Sequence, residues 1–395
     1  MEASMADWSQ LPRELVVLIA SRIEHLSDYI RFCAVCKWWL SITAQENPRP
    51  RLRESPWLML PAKNNNYSHQ LYSPLMEDRF HPIKQEEKEE TCLLALGSSP
   101  DGWVCMVDQK GNIYLFNPFS GSRFALPPFL VKKYSNNVSN QGLRGLPCEH
   151  LIKVAWTPDP TNSGPKSVVI STTKRLAVWR HSKQEQYWTT FWSEYAPFSD
   201  IVYHEEEDMF FMMSHFGCLM TFDLYSLIKV ACHLPRPPRD ISKMLIVSKE
   251  LRYYLAIRGG PSSSSSSLVL VVREIEKRKT KGFKVFELNR RRMRWEPKES
   301  LEDDGMLFLG LNSSTYHFMT GGGGSKCKGN RIYFTDDSIG RSSYDDNLNN
   351  LGRHDMGVFS LDDGSFEWNH CRKWKGPHPI WIFPNWRLPS IDFEM

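Results

Sequence analysis

The chain has 395 residues, of which 41% are hydrophobic, so it is long enough for two domains or for one large domain with an appendage. This composition excludes wholesale disorder. The formal net charge of +4 is a mild excess spread over short clusters, and it gives no indication of nucleic acid or membrane binding.

Cysteine usage and hydropathy indicate the compartment. The nine cysteines lack the regular spacing of a disulfide framework, which suits a reducing environment better than secretion. The first ten residues lack the apolar core of a signal peptide, and no run of about eighteen apolar residues occurs. We therefore expect a protein of the nucleus, the cytoplasm or both, with no membrane partner.

Residues 1–50 are predicted to form three helices. Pro12 suits the first turn of a helix, and Ser27 suits the N-cap of a second helix with Asp28 in its first turn. A third helix carries Trp38 and Trp39. The apolar residues of the first helix recur at a spacing of three and four, which is typical of one helical face: Leu15, Leu18, Ile19, Ile23 and Leu26, with the stem of Arg22.

After about Trp57 the pattern changes to short apolar runs with a period of two. Segments such as 57–60, 92–96, 168–170 and 210–213 are separated by Gly, Asn, Asp, Ser and Pro, which form turns. No long helical stripe interrupts them. This part of the chain is predicted to be all-β.

A weak repeat recurs within the all-β part. An aromatic residue, a polar turn and a second apolar position about eight residues later occur together five times. The copies are Phe116-Asn117 with Phe124, Trp179-Arg180 with Trp188, Phe222-Asp223 with Val230, Phe286-Glu287 with Trp295, and Phe359-Ser360 with Phe366. Each copy is typical of the outer hairpin of a four-stranded propeller blade. We predict about six blades, with segments 57–60 and 380–383 completing the ring; a pair of β-sandwiches is the competing architecture.

The N-terminal module carries several motif pieces at a consistent spacing. They are Trp8, Leu11-Pro12-Arg13-Glu14-Leu15, Ile19, Arg22-Ile23, Asp28-Tyr29-Ile30-Arg31-Phe32 and Val35-Cys36-Lys37-Trp38-Trp39. In combination they resemble an F-box. Leu40 departs from the pattern, because many F-boxes carry an arginine after the tryptophan.

The all-β part carries a second set of matching pieces. They are Asp101-Gly102-Trp103-Val104, Asn117-Pro118, Gly121, Leu126-Pro127-Pro128, and the segments 283–288, 307–310, 327–337, 355–359 and 380–382. These resemble the domain of unknown function 295 that accompanies F-boxes in a large plant family of kink-suppressor and SKIP type. The glycines at 321–324 depart from that pattern.

Together the resemblances define an α+β, multidomain chain. We expect an F-box helical module at 1–50, a linker with first strands at 51–90, and a β-propeller-like substrate-recognition domain at 91–395. The resemblance implies the substrate receptor of a ubiquitin ligase, with a Skp-like adaptor, a cullin scaffold and an unidentified protein substrate as partners. Ubiquitin transfer would follow from proximity of the bound target to the activated ubiquitin.

An F-box presents an apolar helical surface to its adaptor, and a few buried anchors carry most of the affinity. The candidate anchors are Leu11, Pro12, Leu15, Ile19, Ile23, Val35 and Trp39. The alternative is that these residues only pack the helices together. A fragment of about forty residues has difficulty burying every apolar side chain internally, which favours a partner. The candidate target-binding loops are the insertions 129–150, 258–267 and 336–354.

No catalytic, cofactor or metal site is predicted. The Gly-x-Ser-x-Gly, His-Glu-x-x-His and phosphate-loop motifs are missing. Cys33-x-x-Cys36 has the spacing of metal ligands but no second pair nearby, and the acidic pairs 336–337 and 345–346 are more typical of turns.

The basic clusters 273–281 and 290–292 have two interpretations, a functional basic segment or a solvated part of the fold. Either could be a nuclear import signal or a patch for an acidic partner, whereas alternation with Glu in the first favours a solvated β-hairpin. The tryptophans lie in strand patterns without interleaved Lys or Arg, so no nucleic acid partner is expected. An F-box scaffold or decoy without ubiquitin transfer, and a propeller-type ligand-binding protein or enzyme, remain alternatives.

Overall fold

The computed structural model describes most of the helical module and the strand-rich parts of the remaining chain. The described residues are 8–23, 26–46, 56–60, 70–72, 80–82, 92–99, 102–108, 112–118, 122–127, 151–157, 165–173, 175–181, 188–193, 195–223, 250–259, 266–302, 305–311, 314–318, 328–337, 355–367 and 379–383.

Three helices form the N-terminal module, as predicted. They are α1 (Arg13–Arg22), α2 (Leu26–Cys33) and α3 (Lys37–Glu46), preceded by a 3-10 turn at Trp8–Gln10. Pro12 lies at the cap of α1 rather than inside its first turn, and its carbonyl accepts from Leu15 N and Val16 N. The helix α2 begins at Leu26, so Ser27 lies inside it and the predicted cap at Ser27 is displaced.

The described part of the remaining chain is built of strands. In chain order they are β1 (Trp57–Leu60), β2 (Gln70–Tyr72), β3 (Phe80–Pro82), β4 (Cys92–Ser98), β5 (Val104–Asp108), β6 (Ile113–Phe116), β7 (Arg123–Ala125), β8 (Leu151–Trp156), β9 (Ser167–Thr172), β10 (Arg175–Arg180), β11 (Thr189–Trp192), β12 (Phe198–His204), β13 (Met209–Ser214), β14 (Leu219–Asp223), β15 (Glu250–Arg258), β16 (Ser267–Glu276), β17 (Lys279–Asn289), β18 (Arg294–Lys298), β19 (Met306–Leu309), β20 (Thr315–His317), β21 (Arg331–Phe334), β22 (Gly357–Ser360), β23 (Phe366–Glu367) and β24 (Ile380–Ile382).

These strands form six sheets, which are the blades of a β-propeller. From the innermost strand outward, blades 1 to 6 are, in order, β24-β1-β2-β3, β4-β5-β6-β7, β8-β9-β10-β11, β12-β13-β14, β15-β16-β17-β18 and β20-β19-β21-β22-β23. The propeller prediction is confirmed, and the sandwich alternative is excluded. Three of the five predicted hairpin copies lie on the outer strands of blades, and in a fourth Trp188 directly precedes the outer strand β11. Val230 of the remaining copy lies outside the described residues.

The ring closes through both ends of the β part, as predicted. Strand β24 pairs antiparallel with β1, with Trp57 opposite Ile382 and Met59 opposite Ile380. Strands β1 to β3, which fall in the segment expected to hold a linker and first strands, therefore belong to the first blade. Apolar side chains of neighbouring blades pack face to face between the sheets, so the propeller has its core between blades rather than in one centre.

The direction of the strands defines two faces. The innermost strands β12 and β15 run in the same direction, because Asp200 meets Leu255 within both strands and His204, at the end of β12, meets Ser266, beside the end of β15. We call the face at which they begin the upper face, and the face at which they end the lower face. Trp57 at the start of β1 lies opposite Ile382 at the end of β24, because the two strands are antiparallel.

Blade 6 departs from the four-stranded plan. Strand β19 lies between the innermost strand β20 and the strand β21, and it pairs in parallel with β21. The turn between β19 and β20 lies near the axis of the ring, where Gly310 and Ser314 contact residues of blades 3 and 4. The extra strand therefore helps to close the centre of the propeller.

Candidate functional site

The helical module has a small core of its own. Its buried side chains are Val16, Ala20, Phe32, Cys33, Trp39 and Ile42. Phe32 and Trp39 stack with their ring centroids 4.4 Å apart, and Trp39 Nε1 donates to the carbonyl of Trp8 at 3.1 Å. The three helices are therefore held together by one face of each helix, and α1 contributes Val16 and Ala20 to that face.

A second set of large apolar side chains on the same module is exposed. It comprises Trp8, Leu15, Leu18, Ile19, Val35 and Trp38, whose exposed fractions run from 38% for Ile19 to 62% for Trp8. We call this set the helical apolar face. On α1 its members are spaced by three and four residues and turned away from Val16 and Ala20. Trp38 Nε1 donates to the carbonyl of Leu11 at 3.2 Å, which fixes the indole at the start of α1.

The seven predicted adaptor-binding residues fall into three groups. Leu15, Ile19 and Val35 are large exposed apolar residues, and Pro12 is exposed as well. Leu11 and Ile23 are half-buried against the module core, whereas Trp39 belongs to that core. The structure thus gathers four of the seven on the surface and assigns Trp39 a supporting position beneath it.

Sequence reasoning omitted three exposed members of the helical apolar face. Leu18 lies three residues from Leu15 on the same stripe of α1, and the spacing that places it on the predicted helical face also makes it a candidate anchor. Trp8 and Trp38 stand outside that stripe. Nothing in the local pattern shows which tryptophan of the pair Trp38-Trp39 is buried, because both lie at the start of α3.

Cys33 and Cys36 lie in this module and are not joined by a disulfide. Cys33 is buried in the core, and Cys36 Sγ accepts from Trp39 N at 3.5 Å. Across the residues that the structure describes, no group of three or more His, Cys, Asp or Glu side chains is placed to hold a metal ion. Of the acidic pair 336–337, Asp337 forms ion pairs with Arg252 and Arg273, so arginines occupy that carboxylate.

The centre of the propeller carries a buried ion pair. Lys153 Nζ lies 3.0 Å from Asp200 Oδ1 and donates to the carbonyl of Gly310 at 3.1 Å. Asp200 Oδ2 accepts from Leu255 N at 2.9 Å and from Ser314 Oγ at 2.5 Å. These contacts join blades 3 to 6 across the axis. All groups of the pair are engaged by protein atoms, so this cluster holds the ring together rather than presenting a reactive group.

A serine, a histidine and two glutamates meet on the lower face between blades 4 and 5. Ser266 Oγ lies 3.0 Å from His204 Nε2 and 2.6 Å from Glu206 Oε2, and Glu207 Oε1 lies 3.3 Å from the same His204 nitrogen. Burial lowers the pKa of His204, although Glu207 and Glu206 act in the opposite direction.

A hydrolytic triad needs an acid that orients the histidine through its other nitrogen. Within the described part of the chain, His204 Nδ1 is buried and has no hydrogen-bond partner. Glu207 lies at Nε2, the same His204 nitrogen that Ser266 contacts, and Glu206 contacts Ser266 itself. The cluster therefore lacks the group that would orient His204 as a base for Ser266.

The predicted target-binding loops lie mainly outside the described residues. This holds for all of 129–150, for 260–265 and for 338–354. The basic segment 273–281 forms the end of the β16–β17 hairpin, as predicted, but Arg273 itself is buried. Among the described helices, none combines the length and the apolar character needed to cross a bilayer.

Comparison with known proteins relates both parts of the chain to one group. The family profile described as KIB1-4 beta-propeller matches residues 71–360. F-box protein SKIP23 of Arabidopsis thaliana is 24% identical over 394 residues, which cover 92% of this chain and 91% of SKIP23. The Arabidopsis thaliana F-box protein At4g22660 is 31% identical over 128 residues, so this chain covers 30% of the length of that relative, and the match is 30% of this chain.

Among solved structures, YCF48 from Cyanidioschyzon merolae aligns with a TM-score of 0.34 and 13% identity, over 59% of this chain and 67% of YCF48.

Proposed function

The chain belongs to the KIB1-4 beta-propeller family, and from this premise we propose that it is the substrate receptor of a Skp–cullin–F-box ubiquitin ligase. Its Arabidopsis relatives are named F-box proteins, which supports an adaptor of the Skp type as a partner. In this role the chain is non-catalytic. It binds the adaptor through the helical module and a protein target through the propeller, in the nucleus, the cytoplasm or both.

The helical apolar face is the observation that carries the proposal. Leu15, Leu18 and Ile19 are exposed although α1 has a separate buried face, so internal packing of the module does not account for them. Trp38 lies at the start of α1 through its hydrogen bond to Leu11, and Val35 is exposed in the turn before α3. A cluster of large exposed apolar residues marks a site of protein interaction, and a helical face suits a groove on the partner.

The seven candidate residues take different parts in this proposal. Leu15, Ile19, Val35 and Pro12 contact the adaptor directly, and Leu11 and Ile23 contribute where they emerge from the core. Trp39 acts from within the module by holding α3 against Phe32 and Trp8. The cullin scaffold joins through the adaptor, and the target is ubiquitinated because the receptor holds it near the activated ubiquitin.

The test is capture of a purified Skp-type adaptor by the full chain. We expect the double variant Leu15→Ser/Ile19→Ser to lose at least tenfold in adaptor affinity, because interface anchors of this kind cost more than 1 kcal/mol each when truncated. Met293→Ser serves as the matched control, since Met293 is an exposed apolar residue of the propeller. Equal capture by the parent chain and the double variant would contradict the proposal, as would no capture by the parent chain.

A reconstituted reaction addresses ubiquitin transfer itself. Adaptor, cullin, RING subunit and the full chain are combined with a cell extract, and proteins modified in the presence of the parent chain but not of Leu15→Ser/Ile19→Ser are identified. Modified proteins specific to the parent chain support a receptor. Adaptor binding without any such protein would favour a scaffold or decoy.

A further inference from the structure

Among the described strands, those of blade 5 extend further than those of blade 4 on the upper face. The strands β15, β16 and β17 have 9, 10 and 11 residues, whereas β12, β13 and β14 have 7, 6 and 5. Asp200, the third residue of β12, accepts from the backbone of Leu255, the sixth residue of β15. Strand β15 therefore begins three residues higher than β12, which is about 10 Å at roughly 3.3 Å per residue. The two blades form a step that we call the ledge.

The base of the ledge is the turn between β13 and β14. It holds Phe216, which is 67% exposed. Ser214 Oγ accepts from Phe216 N at 3.2 Å and from Cys218 N at 3.0 Å, and His215 N donates to the carbonyl of Pro197 at 3.1 Å. The turn is therefore fixed by its own hydrogen bonds, and it presents an ordered aromatic ring to solvent.

The base adjoins the wall formed by blade 5. Met213 and Leu219, which flank the turn, pack in one buried cluster with Tyr253 of β15, the chain neighbour of Arg252. Arg252 is paired in register with Arg273 of β16. From Arg273 the strand β16 continues upward to the tip of the β16–β17 hairpin.

The tip of the β16–β17 hairpin carries positive charges that no acidic side chain of the described residues neutralises. Lys277 and Arg278 form its two-residue turn with φ values of 52° and 63°, and Lys279 follows. All three side chains are exposed, and none has an acidic partner among the described residues. By contrast, the neighbouring Lys281 and Lys284 are paired with Glu276 and Glu274. Three free cations thus stand at the top of a wall with an exposed aromatic ring at its base.

We infer that the ledge binds an acidic segment of the target protein that carries an apolar side chain beside its carboxylates. The carboxylates lie against Lys277, Arg278 and Lys279, and the apolar side chain covers Phe216. This inference rests on the proposed function and adds to it the chemical class of the target segment.

The test measures binding of fluorescein-labelled twelve-residue peptides to the full chain by fluorescence anisotropy. One peptide alternates Glu and Phe, a second alternates Glu and Ser, and a third alternates Lys and Phe. A twelve-nucleotide oligo-dT serves as a polyanion that has no carboxylates and no amino acid side chains. We expect the Glu/Phe peptide to bind at least tenfold more tightly than each of the others. Its affinity should fall severalfold between 50 and 300 mM salt, because exposed charges are screened.

Two variants probe the two halves of the ledge. Lys277→Asn/Arg278→Gly/Lys279→Thr removes the three charges and places Asn-Gly, the preferred pair for such a turn, so the hairpin is retained. Its matched control, Arg291→Gln/Arg292→Gln/Arg294→Gln, removes three exposed charges from a turn on the lower face. Phe216→Ser is matched by Trp192→Ser, which removes an exposed aromatic residue from the outer strand of blade 3. We expect each ledge variant to weaken binding of the Glu/Phe peptide at least fivefold and each control to change it less than twofold.

The outcomes separate this inference from the proposed function. Unchanged peptide binding in both ledge variants would overturn the inference, as would equal loss in the lower-face control. Binding of oligo-dT as tight as that of the Glu/Phe peptide would overturn it as well, since it would show a general polyanion surface. Adaptor capture is measured on the same variants, and its retention shows that the helical module still works when the ledge has failed.

Discussion

Lys153 and Asp200 form an ion pair inside the propeller, with Lys153 Nζ 3.0 Å from Asp200 Oδ1 and both side chains almost fully buried. The pair is flanked by the β19–β20 turn, because Lys153 also donates to Gly310 and Asp200 also accepts from Ser314. Two charges from blades 3 and 4 therefore hold a segment of blade 6 at the axis. Removing one of them leaves the other buried without its counter-charge.

We expect Lys153→Met to lower the free energy of unfolding by about 3–5 kcal/mol at neutral pH, the range for breaking a buried pair. Burial already raises the pKa of Asp200 in the parent chain, in spite of Lys153. Without Lys153 the folded state therefore binds a proton at a pH where the unfolded chain is ionised. The stability of the variant should consequently approach that of the parent as the pH falls from 8 to 5.

Thermal unfolding of both chains across this pH range measures the effect. The double variant Lys153→Met/Asp200→Asn removes both charges, and it should be more stable at pH 8 than Lys153→Met. A loss that is the same at every pH would show that the charge of Asp200 is not the cause.

Arg273 joins blades 5 and 6 from a fully buried position. Its guanidinium donates to Thr280 Oγ1 at 2.7 Å, to the carbonyl of Thr335 at 3.0 Å and to Asp355 Oδ2 at 3.0 Å. A lysine keeps the charge but cannot reproduce the planar set of donors. We expect Arg273→Lys to cost about 2–4 kcal/mol in the free energy of unfolding, since buried acceptors lose their donors.

Urea denaturation followed by tryptophan fluorescence measures this change. Arg294→Lys is the matched control, because Arg294 is exposed and its pairing with Glu296 contributes less than about 1 kcal/mol. Comparable losses in the two variants would argue against the role assigned to Arg273.

The adjacent residues Trp38 and Trp39 should respond oppositely to truncation. Trp39→Ala removes a buried ring from the module core, and we expect a loss of about 3–5 kcal/mol in the stability of the module. Trp38 is 47% exposed, so Trp38→Ala should cost less than about 1 kcal/mol while weakening adaptor binding several-fold. Hydrogen exchange of α1 and α3 reports the stability, and adaptor capture reports the binding. If Trp38→Ala bound the adaptor as tightly as the parent chain, Trp38 would be excluded from the interface.

His204 should make the propeller less stable in mild acid. Burial lowers the pKa of His204 below its ordinary value of 6.5, with Glu207 and Glu206 opposing the shift and Arg290 supporting it. As the pH falls below about 6.5, the unfolded chain binds a proton that the folded chain resists, so the free energy of unfolding decreases. The contribution of one such group is at most about 1.4 kcal/mol per pH unit.

Comparison with His204→Gln isolates this contribution, because His215 and the remaining groups titrate in both chains. We expect the stability difference between the two chains to change in favour of His204→Gln between pH 7 and pH 5. Parallel stability profiles would mean that His204 does not titrate differently in the folded chain.

The repeat of aromatic hairpins was sufficient to predict the propeller, because each copy reflects the same packing of one blade on the next. The strand β19 could not be predicted in its place. Its residues Leu307, Phe308 and Leu309 have the pattern of an ordinary buried strand, and nothing in a local pattern specifies a parallel partner twenty-five residues later. Lys153 is a similar case: a lysine within a short strand suggests an exposed position, and only the fold brings Asp200 to it.

The exposed surface of the helical module was predictable only in part, because a local pattern does not show how the helices pack. The three-four spacing of Leu15, Leu18 and Ile19 identifies a face of α1, but a spacing alone does not say whether that face packs inward. The face of α1 that packs inward carries Val16 and Ala20, whose side chains are smaller than leucine and allow the helices to approach each other closely. The charged tip at Lys277 and the ring of Phe216 lie sixty residues apart in sequence, and only the difference in blade height relates them.

The pairing of β24 with β1 has a consequence for synthesis of the chain. The last residue of α3, Glu46, is made 336 residues before Ile382, whose strand completes the first blade. At about 5–20 residues per second, the helical module is complete roughly 17 to 67 s before the ring can close. A nascent chain therefore exposes a finished helical module while its propeller is still open, and any chain interrupted before residue 380 keeps that condition permanently.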